Sequence, residues 1–149
     1  MKKIILSTIV ALFAYGEIAT AQDLPTARQR GNADFIEVVQ VKYKTGMSGT
    51  AGMYWFRYFN PASEKAGTPT PVILHMQTGD WDAMMFFNRG KSMARFDWPV
   101  HEDDEKWWAA LAELNGGAEA AQKLMADYNA MIAHEVQSIS HRHMPPADD

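Results

Sequence analysis

The sequence predicts an α+β protein in which one sheet packs against helices. Two observations lead to this class. Residues 35–44 and two runs near the middle of the chain are rich in strand-forming residues and read as strands. In the second half, apolar residues instead recur at helical spacing, such as i, i+4 and i+7. The expected succession is strand, helix, hairpin of two strands, helical region, strand.

The first predicted strand, residues 35–44, is partly apolar on both of its faces, which suits a strand that is covered on two sides. One face holds Phe35, Val39, Val41 and Tyr43. The other holds Ile36, Val38, Gln40 and Lys42.

A glycine-containing break at residues 45–49 separates this strand from a helix. Ser48 is predicted to cap the helix, which should run to about Phe59. The pair Asn60-Pro61 then fits either a kink or a new helical start.

Residues 72–77 and 81–87 form the hairpin, because both runs favour strands and Thr78-Gly79-Asp80 between them favours a turn. The following residues, 88–100, fit a short helix around Met93 and Phe96.

Two longer helices and a last strand complete the prediction. An acidic cluster at residues 102–105 suits a helix N-terminus, and Asn115-Gly116-Gly117 suits the end of that helix. The next helix has Ala121, Met125, Tyr128 and Ile132 on one face. Residues 135–143 alternate weakly and predict the final strand.

The succession is the β-α-β-β-α-β pattern of a ferredoxin-like fold with an enlarged second helical region. The strand at residues 37–42 and the hairpin at residues 72–82 make residues 35–143 resemble the dimeric α+β barrel superfamily, which includes antibiotic-biosynthesis-type monooxygenases. The resemblance implies a homodimer whose two sheets pair into a barrel, with ligands held between sheet and helices. Residues 96–117 depart from the simplest members of that superfamily.

The N-terminus has the layout of a secretory signal peptide. Lys2 and Lys3 precede an apolar run at residues 4–15, and Ala19-Thr20-Ala21 is a small-x-small cleavage site. We therefore expect residues 1–21 to be removed by cleavage after Ala21 and the protein to be periplasmic or secreted. Residues 22–34 are then a flexible arm, residues 35–143 a single α+β domain and residues 144–149 a disordered tail.

The composition of the chain limits the kinds of partner and the kinds of protein that it is compatible with. The chain has 14 Lys and Arg against 18 Asp and Glu, a net charge of −4, which argues against a nucleic-acid partner. It contains no cysteine, so no disulfide can staple the domain. After the N-terminal run, no apolar stretch is long enough to predict a membrane span. No phosphate-binding loop or nucleophile elbow is present, and the sequence indicates no particular cofactor.

Because the chain has no thiol, histidine is the main candidate for a reactive or metal-binding side chain. His141 and His143, at i and i+2, would lie on one face of a strand and could bind a divalent metal, with His75 or His134 as a third ligand. The alternative is a solvated edge strand.

His75 lies within the apolar hairpin, where it could act in acid–base chemistry or face a haem. The alternative is a core histidine bonded to Gln40, Gln77 or a backbone carbonyl.

The aromatic run at residues 53–59 covers every face of its helix, so a dimer interface or an apolar ligand should cover the part that the core does not. The candidate ligand-binding residues are Gln40, Trp55, Tyr58 and Gln77. Two functions follow: a homodimeric binding or structural protein with an apolar cavity, and, as the alternative, a small monooxygenase-like or haem-handling enzyme that uses His75.

Overall fold

The computed structural model describes residues 26–27 and 33–143. The predicted signal peptide, its cleavage site at Ala21 and the predicted tail at residues 144–149 lie outside the described residues. Ala33 and Asp34, which the sequence assigned to the flexible arm, already belong to the first strand and are buried.

The elements follow the predicted succession and confirm the α+β class. Within residues 26–27 and 33–143, the strands are β1 (Ala33–Tyr43), β2 (Val72–His75), β3 (Ala83–Asn88) and β4 (Ile132–His143). Between β1 and β2, helix α1 (Ser48–Tyr54) continues as a π-helix (Trp55–Phe59) and then as α2 (Asn60–Ala66). Between β3 and β4 lie a 3₁₀-helix (Met93–Asp97), α3 (Glu102–Asn115) and α4 (Ala118–Met131).

The strands form one antiparallel sheet in the order β2-β3-β1-β4. β1 lies at its centre, and Val39 on β1 is opposite both Met85 on β3 and Gln137 on β4. Because side chains alternate between the faces of a sheet, this register assigns every strand residue to one of two faces.

One face of the sheet packs against the helices and forms the core. From β1 and β3 it contributes Val39, Val41, Tyr43, Ala83 and Met85. The helices cover these residues with buried apolar side chains, among them Ala51, Phe59, Ala62, Leu111, Ala121 and Tyr128.

The opposite side of the sheet, which we call the open face, carries apolar side chains beside polar ones and remains partly accessible. Two rows of side chains cross all four strands there. One row is Val72, Phe86, Val38 and Ser138, and the next is Leu74, Met84, Gln40 and Val136. Val72 is 61% exposed and Leu74 is 49% exposed.

The helical segment between β1 and β2 differs from its prediction at two points. The residue that caps α1 is Met47, so Ser48 is the first helical residue and not the cap. At Asn60-Pro61 a new α-helical segment begins, which was one of the two predicted alternatives, but its N-cap is Phe59 and not Asn60. The turn before it widens to a π-helix, in which the N–H of Asn60 donates to the carbonyl of Trp55. The wider turn precedes Pro61, which has no N–H to donate and whose ring crowds the preceding turn.

The ends of α3 follow the sequence closely. The ring Nδ1 of His101 accepts from the N–H of Asp103 (3.2 Å), and the carboxylate of Asp104 accepts from the N–H of His101 (3.0 Å). The acidic cluster therefore lies in the first turn, as predicted. Gly116, with φ of +92°, ends the helix in the left-handed conformation that glycine adopts without strain.

The hairpin is shorter than predicted, with strands that end at His75 and begin at Ala83. The carboxylate of Asp82 accepts from Lys42 Nζ (3.0 Å) and from the N–H of Tyr43 (2.8 Å), so it turns toward β1 and ends the regular pairing.

Among the described residues, we find no helix whose length and apolar character would let it cross a bilayer.

Candidate functional site

A cavity of about 410 Å³ lies between the sheet and the helices, and we call it the central cavity. Its sheet wall consists of helix-facing residues such as Val39, Met85 and Phe87. Its helical wall includes Trp55, Phe59, Trp107, Trp108 and Met125. The central cavity is therefore lined mainly by aromatic and apolar side chains, which is typical of small-molecule sites.

The π-helix supplies two of the aromatic walls. Trp55 and Phe59 lie at its two ends, and their rings meet edge to face with centroids 5.1 Å apart. Trp55 also contacts Phe87 of β3, with ring centroids 6.1 Å apart. π-helical turns occur often at functional sites, where they reposition side chains. Here the wider turn brings both rings to the central cavity.

Trp107 is held by hydrogen bonds rather than by packing alone. Its indole N–H lies 3.1 Å from Ser63 Oγ and 3.3 Å from the carbonyl oxygen of Phe59. Ser63 is buried and donates in turn to the same carbonyl (3.2 Å). Because an indole has a single donor, these partners fix the orientation of the ring in the wall.

Five charged residues form one wall of the central cavity, and we call them the charged wall: Glu37, Arg89, Arg95, Asp103 and Asp104. Arg89 donates to Glu37 at 2.6 and 2.8 Å, and Arg95 donates to Asp103 at 2.9 Å. Asp104 lies 3.8 Å from Arg89 and 3.6 Å from Arg95. With three carboxylates around two guanidinium groups, the charged wall has no excess positive charge to attract an anion.

Tyr43, Trp55 and Tyr128 form a hydrogen-bonded group that we call the tyrosine cluster, and two of its members, Trp55 and Tyr128, line the central cavity. The hydroxyl of Tyr128 accepts from the indole N–H of Trp55 (3.0 Å) and lies 2.9 Å from the hydroxyl of Tyr43. Burial raises the pKa of Tyr43 far above its usual range, and the hydrogen bond to Tyr128 raises it further. Burial also raises the pKa of Tyr128. Both hydroxyls therefore keep their protons at neutral pH.

Of the four predicted ligand-binding residues, Trp55 lines the central cavity. Tyr58 lines a separate surface cavity beside Met53 and Arg57. Gln40 belongs to the open face, and Gln77 is exposed in the hairpin turn. The structure thus brings only one of the four to this cavity.

His75 lies elsewhere and in a different environment from the one the sequence suggested. It is the last residue of β2, not a residue of mid-strand, and it is exposed. Its ring lies against α1, where a Cβ on Gly52 would be 3.4 Å from His75 Cε1. The register with Ala83 places His75 on the helix-facing side of the sheet, but β2 is an edge strand and leaves its end accessible. His75 is not among the residues that line the central cavity.

The predicted metal ligands His141 and His143 do come together. They lie on one face of β4, and their Nε2 atoms are 3.2 Å apart. His134 belongs to the opposite face, where it stacks on Trp81 with ring centroids 5.5 Å apart. His75 is on the opposite edge strand of the sheet. Within residues 26–27 and 33–143, no three His, Asp or Glu side chains are grouped so that they could hold a metal ion.

The charged wall and the tyrosine cluster were not predicted as site residues. One sequence signal for the charged wall exists: Glu37 alternates with Val39 and Val41 on the apolar face of the first strand. A carboxylate in that position requires a partner. Nothing local identifies Arg89 or Arg95 as that partner, and Tyr128 has the spacing of an ordinary core residue.

These features define the chain as an α+β protein with an aromatic cavity between sheet and helices. Two crystal structures of NIPSNAP family proteins from Agrobacterium tumefaciens strain C58 are similar to it. One is 11% identical with a TM-score of 0.46, and the match covers 77% of this chain and 94% of that one. The other, described as having unknown function, is 12% identical with a TM-score of 0.49, covering 80% of this chain and 98% of that one. No protein-family model matches the sequence, and no curated protein matches it significantly.

Proposed function

We propose that this protein is a binding protein that holds a small, largely apolar molecule in the central cavity. The observation that carries the proposal is the cavity itself, about 410 Å³ in volume and walled by Trp55, Phe59, Phe87 and Trp107. Sites for small molecules usually measure 300–1,000 Å³ and combine apolar walls with a few polar groups. Both criteria are met.

The chemistry of the walls favours an uncharged ligand. The basic side chains of the charged wall, Arg89 and Arg95, are already paired with carboxylates. Glu135 adds a further negative charge to the lining. A flat hydrocarbon skeleton, in contrast, can stack against the aromatic rings and gains free energy from the apolar area that it buries.

Equilibrium dialysis with 2-ethylnaphthalene, a flat apolar probe of suitable size, tests this function. Gln137 lines the cavity from β4 and is exposed, so Gln137→Trp should obstruct the cavity without disturbing the core. We expect this variant to bind the probe at least tenfold more weakly than the wild type. His143→Trp places the same side chain on the same face of β4, away from the cavity lining, and should bind normally. Equal binding by Gln137→Trp and the wild type would refute the proposal.

We further propose that the sheet is of the ferredoxin-like type and that two copies associate through their open faces as a dimeric barrel. Val72, Leu74 and Val136 are exposed on this face, and Phe86 and Val38 lie beside them. A group of apolar side chains on an accessible sheet face is typical of an interface. A second copy offers a surface of the same chemistry, and a symmetric dimer buries the same patch on both partners.

Light scattering on purified protein tests the dimer. Phe86→Glu places a charge in the middle of the open face, and we expect it to yield monomers. Phe56→Glu introduces the same charge at an aromatic residue on the π-helix that is 72% exposed, and should leave the dimer intact. A monomeric wild type, or a dimer that survives Phe86→Glu, argues against the barrel.

We also propose that the protein is exported and cleaved after Ala21, on the basis of the charged, apolar and small-residue segments of residues 1–21. N-terminal sequencing of the protein recovered from a bacterial periplasm should begin at Gln22. Recovery of the uncleaved chain from the cytoplasm alone would contradict export.

A further inference from the structure

The two hydroxyl protons of the tyrosine cluster share only one hydrogen bond between them. The hydroxyls of Tyr43 and Tyr128 are 2.9 Å apart and share a single hydrogen bond. The indole of Trp55 can only donate, so it occupies an acceptor position on Tyr128. Whichever tyrosine donates to the other, one of the two hydroxyl protons has no acceptor among residues 26–27 and 33–143.

This leftover donor lies in a buried place. Tyr128 and Tyr43 are each only 5% exposed. A buried hydroxyl without an acceptor is unfavourable, and nearly all such groups have a partner in native proteins. The environment therefore calls for an acceptor that the described side chains do not supply.

The central cavity is the place from which such an acceptor can come. Trp55, Tyr128 and Glu135 all line it, whereas Tyr43 does not. Glu135 is close enough that its negative charge raises the pKa of both tyrosines. A ligand in the cavity can thus reach Tyr128, and if Tyr43 donates to Tyr128, the proton of Tyr128 is the one that is left over.

We propose that Tyr128 donates this proton to an uncharged oxygen acceptor, such as a carbonyl, on the apolar molecule bound in the central cavity. The inference rests on the proposed binding function and specifies the ligand class. A carboxylate or phosphate acceptor is disfavoured, because the negative charge of Glu135 lines the same cavity and both arginines of the charged wall are paired with carboxylates. Tyr128 then acts as the polar anchor that orients a ligand among the aromatic rings.

Two probes of nearly equal shape distinguish a hydrogen bond from Tyr128 from binding by apolar contacts alone. 2-Acetylnaphthalene carries a carbonyl where 2-ethylnaphthalene carries a methylene group. In equilibrium dialysis, Tyr128→Phe should bind the ketone about three- to tenfold more weakly than the wild type, the range expected for one hydrogen bond. Its affinity for the hydrocarbon should stay within about twofold of the wild-type value.

Tyr43→Phe is the matched control, since it removes the other hydroxyl of the same buried pair. Tyr128 can still donate in that variant, so the wild-type preference for the ketone should remain. The inference is overturned if Tyr128→Phe leaves ketone binding unchanged, weakens both probes equally, or behaves like Tyr43→Phe. Failure of the wild type to bind either probe would instead overturn the proposed function, and this inference with it.

A second measurement needs only the wild-type protein and covers the case in which Tyr128→Phe does not fold. The infrared carbonyl stretch of 2-acetylnaphthalene bound to the protein should lie at lower wavenumber than in hexane, because a hydrogen bond weakens the C=O bond. A bound ketone with an unshifted stretch overturns the inference.

Discussion

The Nε and one Nη atom of Arg89 both donate to a single carboxylate oxygen of Glu37, at 2.8 and 2.6 Å. Glu37 occupies the helix-facing side of β1, among side chains that are otherwise apolar. The backbone N–H of Arg89 also donates to the carbonyl of Phe35 (2.8 Å), so the arginine is held at the start of the loop after β3. The pair therefore neutralises a charge inside the sheet–helix interface and joins β1 to that loop.

Removing the guanidinium group of Arg89 alone should destabilise the protein. Arg89→Met leaves Glu37 partly buried without its partner, and we expect the free energy of unfolding to fall by about 2 kcal/mol. The double variant Glu37→Leu/Arg89→Met should be less destabilised than the sum of the single variants, because it leaves no orphaned charge. Urea unfolding measures both. Lys65→Ala, which breaks the exposed Lys65–Glu113 pair, should change stability by less than about 0.5 kcal/mol. Equal effects of Arg89→Met and Lys65→Ala would contradict this account.

Asp82 should make stability depend on pH. Its pKa is lowered by the hydrogen bond from Lys42 and, next, by the N–H of Tyr43. Its contribution is therefore present above the unfolded pKa of about 3.9 and is lost as the pH falls through the lower folded value. Asp82→Asn should lose about 1 kcal/mol at pH 7 and match the wild type near pH 2. Asp80→Asn, in the same exposed turn, is the control. A loss that is the same at both pH values would show that charge is not the cause.

The core should respond to truncation at one position of α3 and not at a neighbouring one. Leu111 is fully buried, and Leu111→Ala should reduce the free energy of unfolding by about 2–4 kcal/mol. Leu114 is exposed on the same helix, and Leu114→Ala should cost less than about 1 kcal/mol. Chemical denaturation at constant pH compares the two. Similar losses of stability for the two variants would show that Leu114 belongs to the core as Leu111 does, contrary to this prediction.

Two glycines should respond to alanine in opposite directions. Gly116→Ala forces an L-residue into φ of +92° at the end of α3 and should destabilise the protein by about 1–2 kcal/mol. Gly49 lies in the first turn of α1, and a Cβ added there would have no heavy atom of another part of the chain within 4 Å. Gly49→Ala should stabilise the protein by up to about 1 kcal/mol. Thermal unfolding distinguishes these outcomes, and a stabilising Gly116→Ala would be inconsistent with the left-handed cap.

The helices and strands could be predicted from the sequence because the residue patterns that indicate them are local. Alternation in the first strand identified the faces of Val39 and Val41, and the glycines after Asn115 identified the end of α3. Ser48 illustrates the limit of such signals: a capping residue type occurs there, but the chain starts its helix one residue earlier.

The candidate site was harder to predict because its contacts join distant parts of the chain. Arg89 meets Glu37 across 52 positions, and Tyr128 meets Tyr43 across 85. Periodicity assigns a residue to a face but gives no distance between faces. His75 shows the same limit, since its exposure follows from the edge position of β2, and strand order cannot be read from alternation.

Ala33 and His143, at the two ends of the described domain, are register partners on β1 and β4. The chain therefore enters and leaves the sheet side by side. A circularly permuted protein, with these ends joined by a short glycine-rich linker and a new opening in the exposed turn around Gly79, should keep the same sheet and core. The order in which the strands are synthesised would then be rearranged, while the residues that meet at the central cavity would stay the same.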